Sequence, residues 1–135
     1  MVLPITTLAT IVLAALYVAL TTAVFGARSK TGISLGDGDN EMLMRRNRGQ
    51  GNFVENVPIT LLVLLVAEMQ TVGLWPDTFR IALAILAAAF VVGRILHGIA
   101  FGFTDYWRFG RGAGMALSYF STIALIVLAI FAVLV

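Results

Sequence analysis

The chain has 135 residues, of which 60% are apolar and 12% charged, with a mean hydropathy of +0.98. A soluble domain is about half apolar and about a quarter charged, so this composition describes a polytopic membrane protein. With no cysteine and a single histidine, a disulfide, a thiolate metal site, a cysteine nucleophile and a multi-histidine metal centre within one subunit are all excluded. The net charge of +2 is small and its basic residues sit in loops, a pattern of membrane orientation rather than of nucleic-acid binding.

The first span is expected over residues 4–25, long enough at about twenty residues to cross the hydrocarbon core. No Lys or Arg precedes it and it exceeds a signal-peptide core, so it is expected to be a retained helix. Its threonines, among them Thr6, Thr10, Thr21 and Thr22, can bond back to the carbonyl one turn earlier. Residues 26–51 form a long polar connection with Arg28, Lys30, Arg45, Arg46 and Arg48, given turns by Gly32, Gly36, Gly38, Gly49 and Gly51. Asp37-Gly38-Asp39-Asn40 has the opening of a calcium loop but lacks the closing glutamate, so a solvated turn is the better account.

The second span is expected over residues 52–72, with Pro58 one turn inside it as a kink or an early-helix position. Glu68 falls near the far interface, where a carboxylate at headgroup level is as good an account as any specific role. A short turn follows, with Trp75 where interfacial aromatics belong. The third span is expected over residues 79–103; Arg80 begins it as a snorkelling anchor. A second polar loop with Asp105, Trp107, Arg108 and Arg111 leads to the fourth span, residues 115–135. Basic residues crowd the first and third connections and only Arg80 marks the second, so the positive-inside rule puts those two loops in the cytoplasm and both termini outside. The expectation is one domain over residues 1–135: an all-α, four-helix up-down membrane bundle, with the inner membrane of a bacterium as its default location.

The polar run Arg45–Pro58 organises the rest. Helical from about Arg48, it places Arg48, Asn52 and Glu55 at i, i+4 and i+7, on one face. Arg94 and His97 occur at comparable depth in the third span. Charges inside a membrane are costly unless paired or facing a cavity. A Glu55–Arg94 ion pair that fixes helix register is one account. A polar pocket lined by Arg48, Asn52, Glu55, Arg94 and His97 is the other. Its mouth is rich in guanidinium groups that suit carboxylates, and Glu55 suits an ammonium. That inventory fits glutathione, and an anionic lipid headgroup nearly as well.

Arg48-x-x-x-Asn52-x-x-Glu55 followed by Pro58, together with Gly93-Arg94-x-x-His97 and an aromatic at Phe101, resembles the signatures of the MAPEG family, the membrane-associated proteins of eicosanoid and glutathione metabolism, in its small bacterial members. The resemblance covers nearly the whole chain. It implies a homotrimer with glutathione as co-substrate between neighbouring subunits. It implies contacts from Arg48, Asn52 and Glu55, with Arg94 supporting the pocket or reaching the tripeptide, His97 beside it, and Arg28 near the family's first-helix arginine. Arg111, with Arg108 second, matches the thiol-activating arginine. Phe101 departs from the tyrosine of several members, and Asn56 stands where some carry tyrosine. The implied function is a glutathione-dependent membrane transferase or peroxidase acting on an apolar electrophile. The alternative is a non-catalytic lipid-binding or accessory subunit on the same scaffold. Gly93, Gly98, Gly102 and Ala87–Ala89 are expected to serve close helix packing, compatible with a trimer.

Overall fold

The computed structural model describes residues 2–71, 76–105 and 107–134. Four helices follow one another: α1, Pro4–Thr31; α2, Glu41–Thr71; α3, Asp77–Gly102; and α4, Arg108–Leu134. All four are long and apolar enough to cross a membrane. The all-α four-helix expectation holds; α1 runs past its expected end, and α2, α3 and α4 begin before their expected first residues. The expected turn at Trp75 lies outside the described residues.

The extensions have local causes. At 28 residues, α1 is about 42 Å long at about 1.5 Å per residue, against a hydrocarbon core of about 30 Å. Its last turns therefore project past the membrane, where Arg28 and Lys30 complement the negative end of the helix dipole. It stops at Gly32, in the left-handed region at φ 70°, whose N–H donates to the Arg28 carbonyl. The polar connection thus shrinks to Gly32–Asn40. Asn40 Oδ1 accepts the Leu43 N–H at 3.0 Å, the N-cap bond that starts α2 at Glu41. Gly49 and Gly51, expected as turn residues, lie inside α2, and the glycines at 110, 112 and 114 lie inside α4. Pro58 also sits within the continuous α2.

Several of the glycines within the helices serve helix packing. A Cβ on Gly114 would fall 2.6 Å from the His97 backbone nitrogen, and one on Gly49 would fall 2.6 Å from Phe101 Cβ. Gly93 lies against Ser118 and Gly114, Gly98 against Leu16, and Gly102 against Leu20. The small residues of α3 therefore bring α1 and α4 close within one protomer, and they are no longer an argument for a subunit interface. Helix α3 touches all three others, whereas α1 and α4 make no mutual contact among the described residues. Leu13, Leu20, Phe53, Val57 and Phe90 pack as one buried cluster, and Ala9, Leu64, Ala67, Leu83, Ala87 and Leu125 as another.

Polar side chains inside the bundle find partners. Thr10 and Thr22 bond back to the carbonyls of Thr6 and Val18, as expected. Thr21 instead accepts from Gln50 Nε2 at 2.9 Å, and the buried Thr6 Oγ1 is the exception, with no partner among the described residues. Glu68 departs most from expectation. It is 3% exposed, and its carboxylate accepts the N–H groups of Ile5 at 2.9 Å and Thr6 at 2.7 Å. Leu3, the residue before α1, supplies no side-chain cap. A carboxylate from the far end of α2 does so instead, satisfying two amides that no intrahelical carbonyl reaches. Glu68 is thus a buried cap rather than a headgroup-level carboxylate.

Candidate functional site

Arg48, Asn52 and Glu55 do form one face of α2, because α2 is unbroken through Gly49 and Gly51. With His97 and Phe101 of α3 they line a cavity of about 520 Å³. Arg48, Asn52, His97 and Phe101 also line an adjoining cavity of about 590 Å³, whose other wall is α4: Arg111, Met115, Ala116 and Tyr119. The two make one groove between α2 and α4, floored by α3. Each volume lies within the ~300–1,000 Å³ usual for ligand pockets.

The floor is built on Phe101. Its ring lies 4.8 Å from that of His97, tilted by 30°, and 5.7 Å from the Arg111 guanidinium on its other contact, within cation–π range. Gly49 lets α2 approach Phe101 at its Cβ. The loss of a tyrosine hydroxyl here is accompanied by a ring that holds His97 and Arg111 on the same floor.

Arg94 is 2% exposed and stands behind the groove wall. The expected Glu55–Arg94 ion pair does not form; the one ion pair among the described residues joins Arg45 and Asp105. Arg94 donates to Asn52 Oδ1 and Ser118 Oγ, each at 2.9 Å, while Glu55 is exposed on the groove. Arg94 is thus held by Asn52 and Ser118, and Glu55 is left open to the groove. Arg111 lines the groove, whereas Arg108 lines a smaller cleft of about 70 Å³ beside it, with Arg45 and Trp107.

Arg28 lines neither cavity. Its guanidinium donates to the carbonyls of Ile33, Ser34 and Gly36, at 3.2, 3.2 and 3.1 Å, and to Asn47 Oδ1 at 3.4 Å. This clamp folds the linker so that Asp37 and Asn47 reach the mouth of the groove. In sequence Asp37 reads as part of a solvated turn, and no spacing rule marks it. Met115 and Tyr119 escape sequence reasoning for a different reason. With Arg111 they fall at i, i+4 and i+8, a face visible in sequence only once α4 is known to start at Arg108.

A second groove, about 380 Å³, runs between α1 and α3 and is lined by apolar side chains such as Leu8, Val12 and Val91. It carries no group for chemistry.

The fold and groove define an integral, multi-pass membrane protein of four helices with a charged groove at the arginine-rich end of the bundle. The sequence model of the MAPEG family matches residues 6–131, and the chain belongs to that family. Membership carries a general association with membrane glutathione and eicosanoid metabolism. No curated protein matches the chain at a significant level.

Proposed function

We propose that this protein is a glutathione-dependent transferase or peroxidase acting on apolar electrophiles from the bilayer. One observation carries the proposal: the groove is charged where α2 and the linker line it and mostly apolar where Met115, Ala116 and Tyr119 of α4 line it, with Arg111 at the start of α4 between. Asp37 and Glu55 suit the ammonium of the tripeptide, and Arg48 suits a carboxylate. Arg111 is the group for the thiol, since a guanidinium stabilises the thiolate, which is the nucleophile. Met115, Ala116 and the ring of Tyr119 offer an apolar electrophile a path from the lipid. Arg48 and Arg111 contact substrate in this account, Arg108 assists from the adjacent cleft, and His97 packs the floor.

In conjugate addition the thiol gives its proton to water, sulfur forms a bond to the electrophilic carbon, and the neighbouring carbanion takes a proton back. With a hydroperoxide the thiolate attacks the distal oxygen and the O–O bond breaks. The alkoxide leaves as alcohol, and a second glutathione converts the sulfenic acid to disulfide and water. By family resemblance the working form is a homotrimer, and a bacterial inner membrane is the default location for its helical spans. The basic residues Arg28, Lys30, Arg45, Arg46, Arg48, Arg108 and Arg111, set against Arg80 alone at the other end, favour a cytoplasmic groove and external termini.

A ligand that binds only the folded state raises its stability. The test is thermal unfolding of the detergent-purified protein with and without millimolar glutathione, then conjugation of a generic electrophile. A shift that Arg48→Ala abolishes, and turnover that Arg111→Ala abolishes, support the proposal; turnover insensitive to both Arg108 and Arg111 overturns the mechanism. Phe101 favours a second account, a non-catalytic lipid-binding or accessory subunit, because the floor lacks a hydroxyl. Absence of any glutathione shift would select it.

A further inference from the structure

The Arg94 guanidinium is buried at 2% exposure, yet each group around it is neutral. Nε donates to Ser118 Oγ and Nη1 to Asn52 Oδ1, Nη2 lies 3.9 Å from Met115 Sδ, and Cζ lies 5.9 Å from the Phe90 ring. Ser118 in turn donates to the Gly114 carbonyl at 2.7 Å. Among the described residues no carboxylate comes within ion-pair distance of Arg94. The helices therefore carry a buried cation whose counter-charge the described residues do not supply.

A guanidinium can donate hydrogen bonds and cannot accept them. Asn52 must turn its carbonyl oxygen toward Arg94, which leaves its amide NH₂ on the opposite side. Asn52 lines both cavities of the groove, whereas Arg94 lines neither.

We infer that Arg94 is a positioning residue that fixes Asn52 as a hydrogen-bond donor into the groove, so that this wall selects a negatively charged acceptor group of the ligand and rejects a donor or cation. The ligand's anion then provides the counter-charge that Arg94 lacks. This divides the groove by sign: Glu55 and Asp37 take the ammonium, and the Asn52 wall takes an anion. The inference rests on glutathione being the ligand, and it adds an orientation to that reading.

Asn52→Asp tests it, being nearly isosteric and placing a carboxylate where the Asn52 oxygen accepts from Arg94. Arg48 at i−4 favours the new charge and Glu55 at i+3 opposes it, so the flanking terms largely offset. The desolvation of Arg94 is already present in the wild type, and a carboxylate in the half-buried Asn52 position adds little more. The expected result is a pair of opposite changes. The unfolding temperature rises, while glutathione affinity, measured by calorimetric titration in detergent, falls roughly tenfold to a hundredfold. Asn52→Leu, which removes the acceptor without adding charge, lowers both. A residue of merely structural importance would move stability and affinity in the same direction. The inference is overturned if Asn52→Asp fails to fold, unfolds at or below the wild-type temperature, or keeps its affinity within about twofold, the spread left by substitutions that make no contact. Wild-type protein that binds no glutathione overturns the functional reading alone, and the sign of the Asn52→Asp temperature shift still decides the Arg94 pairing.

Discussion

Two of the carboxylates of helix α2, Glu55 near its middle and Glu68 near its far end, have opposite fates. Glu68 is buried and both its oxygens accept backbone N–H groups from the start of α1. Glu55 is exposed on the groove and accepts no hydrogen bond among the described residues. Both are expensive in an apolar setting. One cost is offset inside the fold; the other is left for water or a ligand to offset. From sequence both roles stay open: Glu68 fits the headgroup level or a specific role, and Glu55 fits a pair with Arg94 or a pocket wall. A carboxylate in a membrane helix thus points to ligand contact when its hydrogen-bonding capacity stays open to a cavity.

Removing each carboxylate breaks or sharpens this contrast. Glu68→Ala leaves two buried N–H groups at the α1 terminus unsatisfied, at about 1–3 kcal/mol each. It should lower unfolding stability in detergent by about 3 kcal/mol while leaving the affinity of the surviving folded fraction for glutathione unchanged. Glu55→Ala should do the reverse. Its stability change stays within about 0.5 kcal/mol, as for exposed substitutions, and the glutathione-induced thermal shift is lost. Equal stability losses from the two variants would end the distinction.

Packing sets the next effect. Gly114→Val would press its side chain into the α3 backbone at His97 and should cost about 1–3 kcal/mol by overpacking, seen in the same unfolding assay. Gly51→Ala, on the same groove but with open space at its Cβ, should be neutral or slightly stabilising. The smallest effect is at Arg28. Arg28→Ala frees the linker that carries Asp37. The charge-assisted hydrogen bonds it breaks are exposed or only partly buried, so about 1 kcal/mol of stability is expected. A several-fold loss of glutathione affinity in calorimetric titration should accompany it if Asp37 takes the ammonium.

Membrane residence, the number of spans and the Arg48–Asn52–Glu55 face were legible because each rests on short-range periodicity. Helix ends were less so. Gly49, Gly51, Gly110 and Gly112 have the local signature of turns, yet the helices run through them, since neighbouring helices or projection past the bilayer set the outcome. The clamp by Arg28 was invisible because its acceptors are backbone carbonyls, which every residue has.

The amino-acid order alone determined that four apolar segments must cross a bilayer and that one face of the second concentrates polar groups, because hydropathy and a 3.6-residue repeat are properties of neighbours along the chain. Which charge meets which group was decided only by tertiary packing. Glycine contacts on α3 set how near α1, α2 and α4 stand, and at hydrogen-bond range a displacement of about 1 Å separates a bond of about 2.9 Å from no bond at all. That is why Arg94 holds Asn52 rather than Glu55, and why Glu68 closes the start of α1.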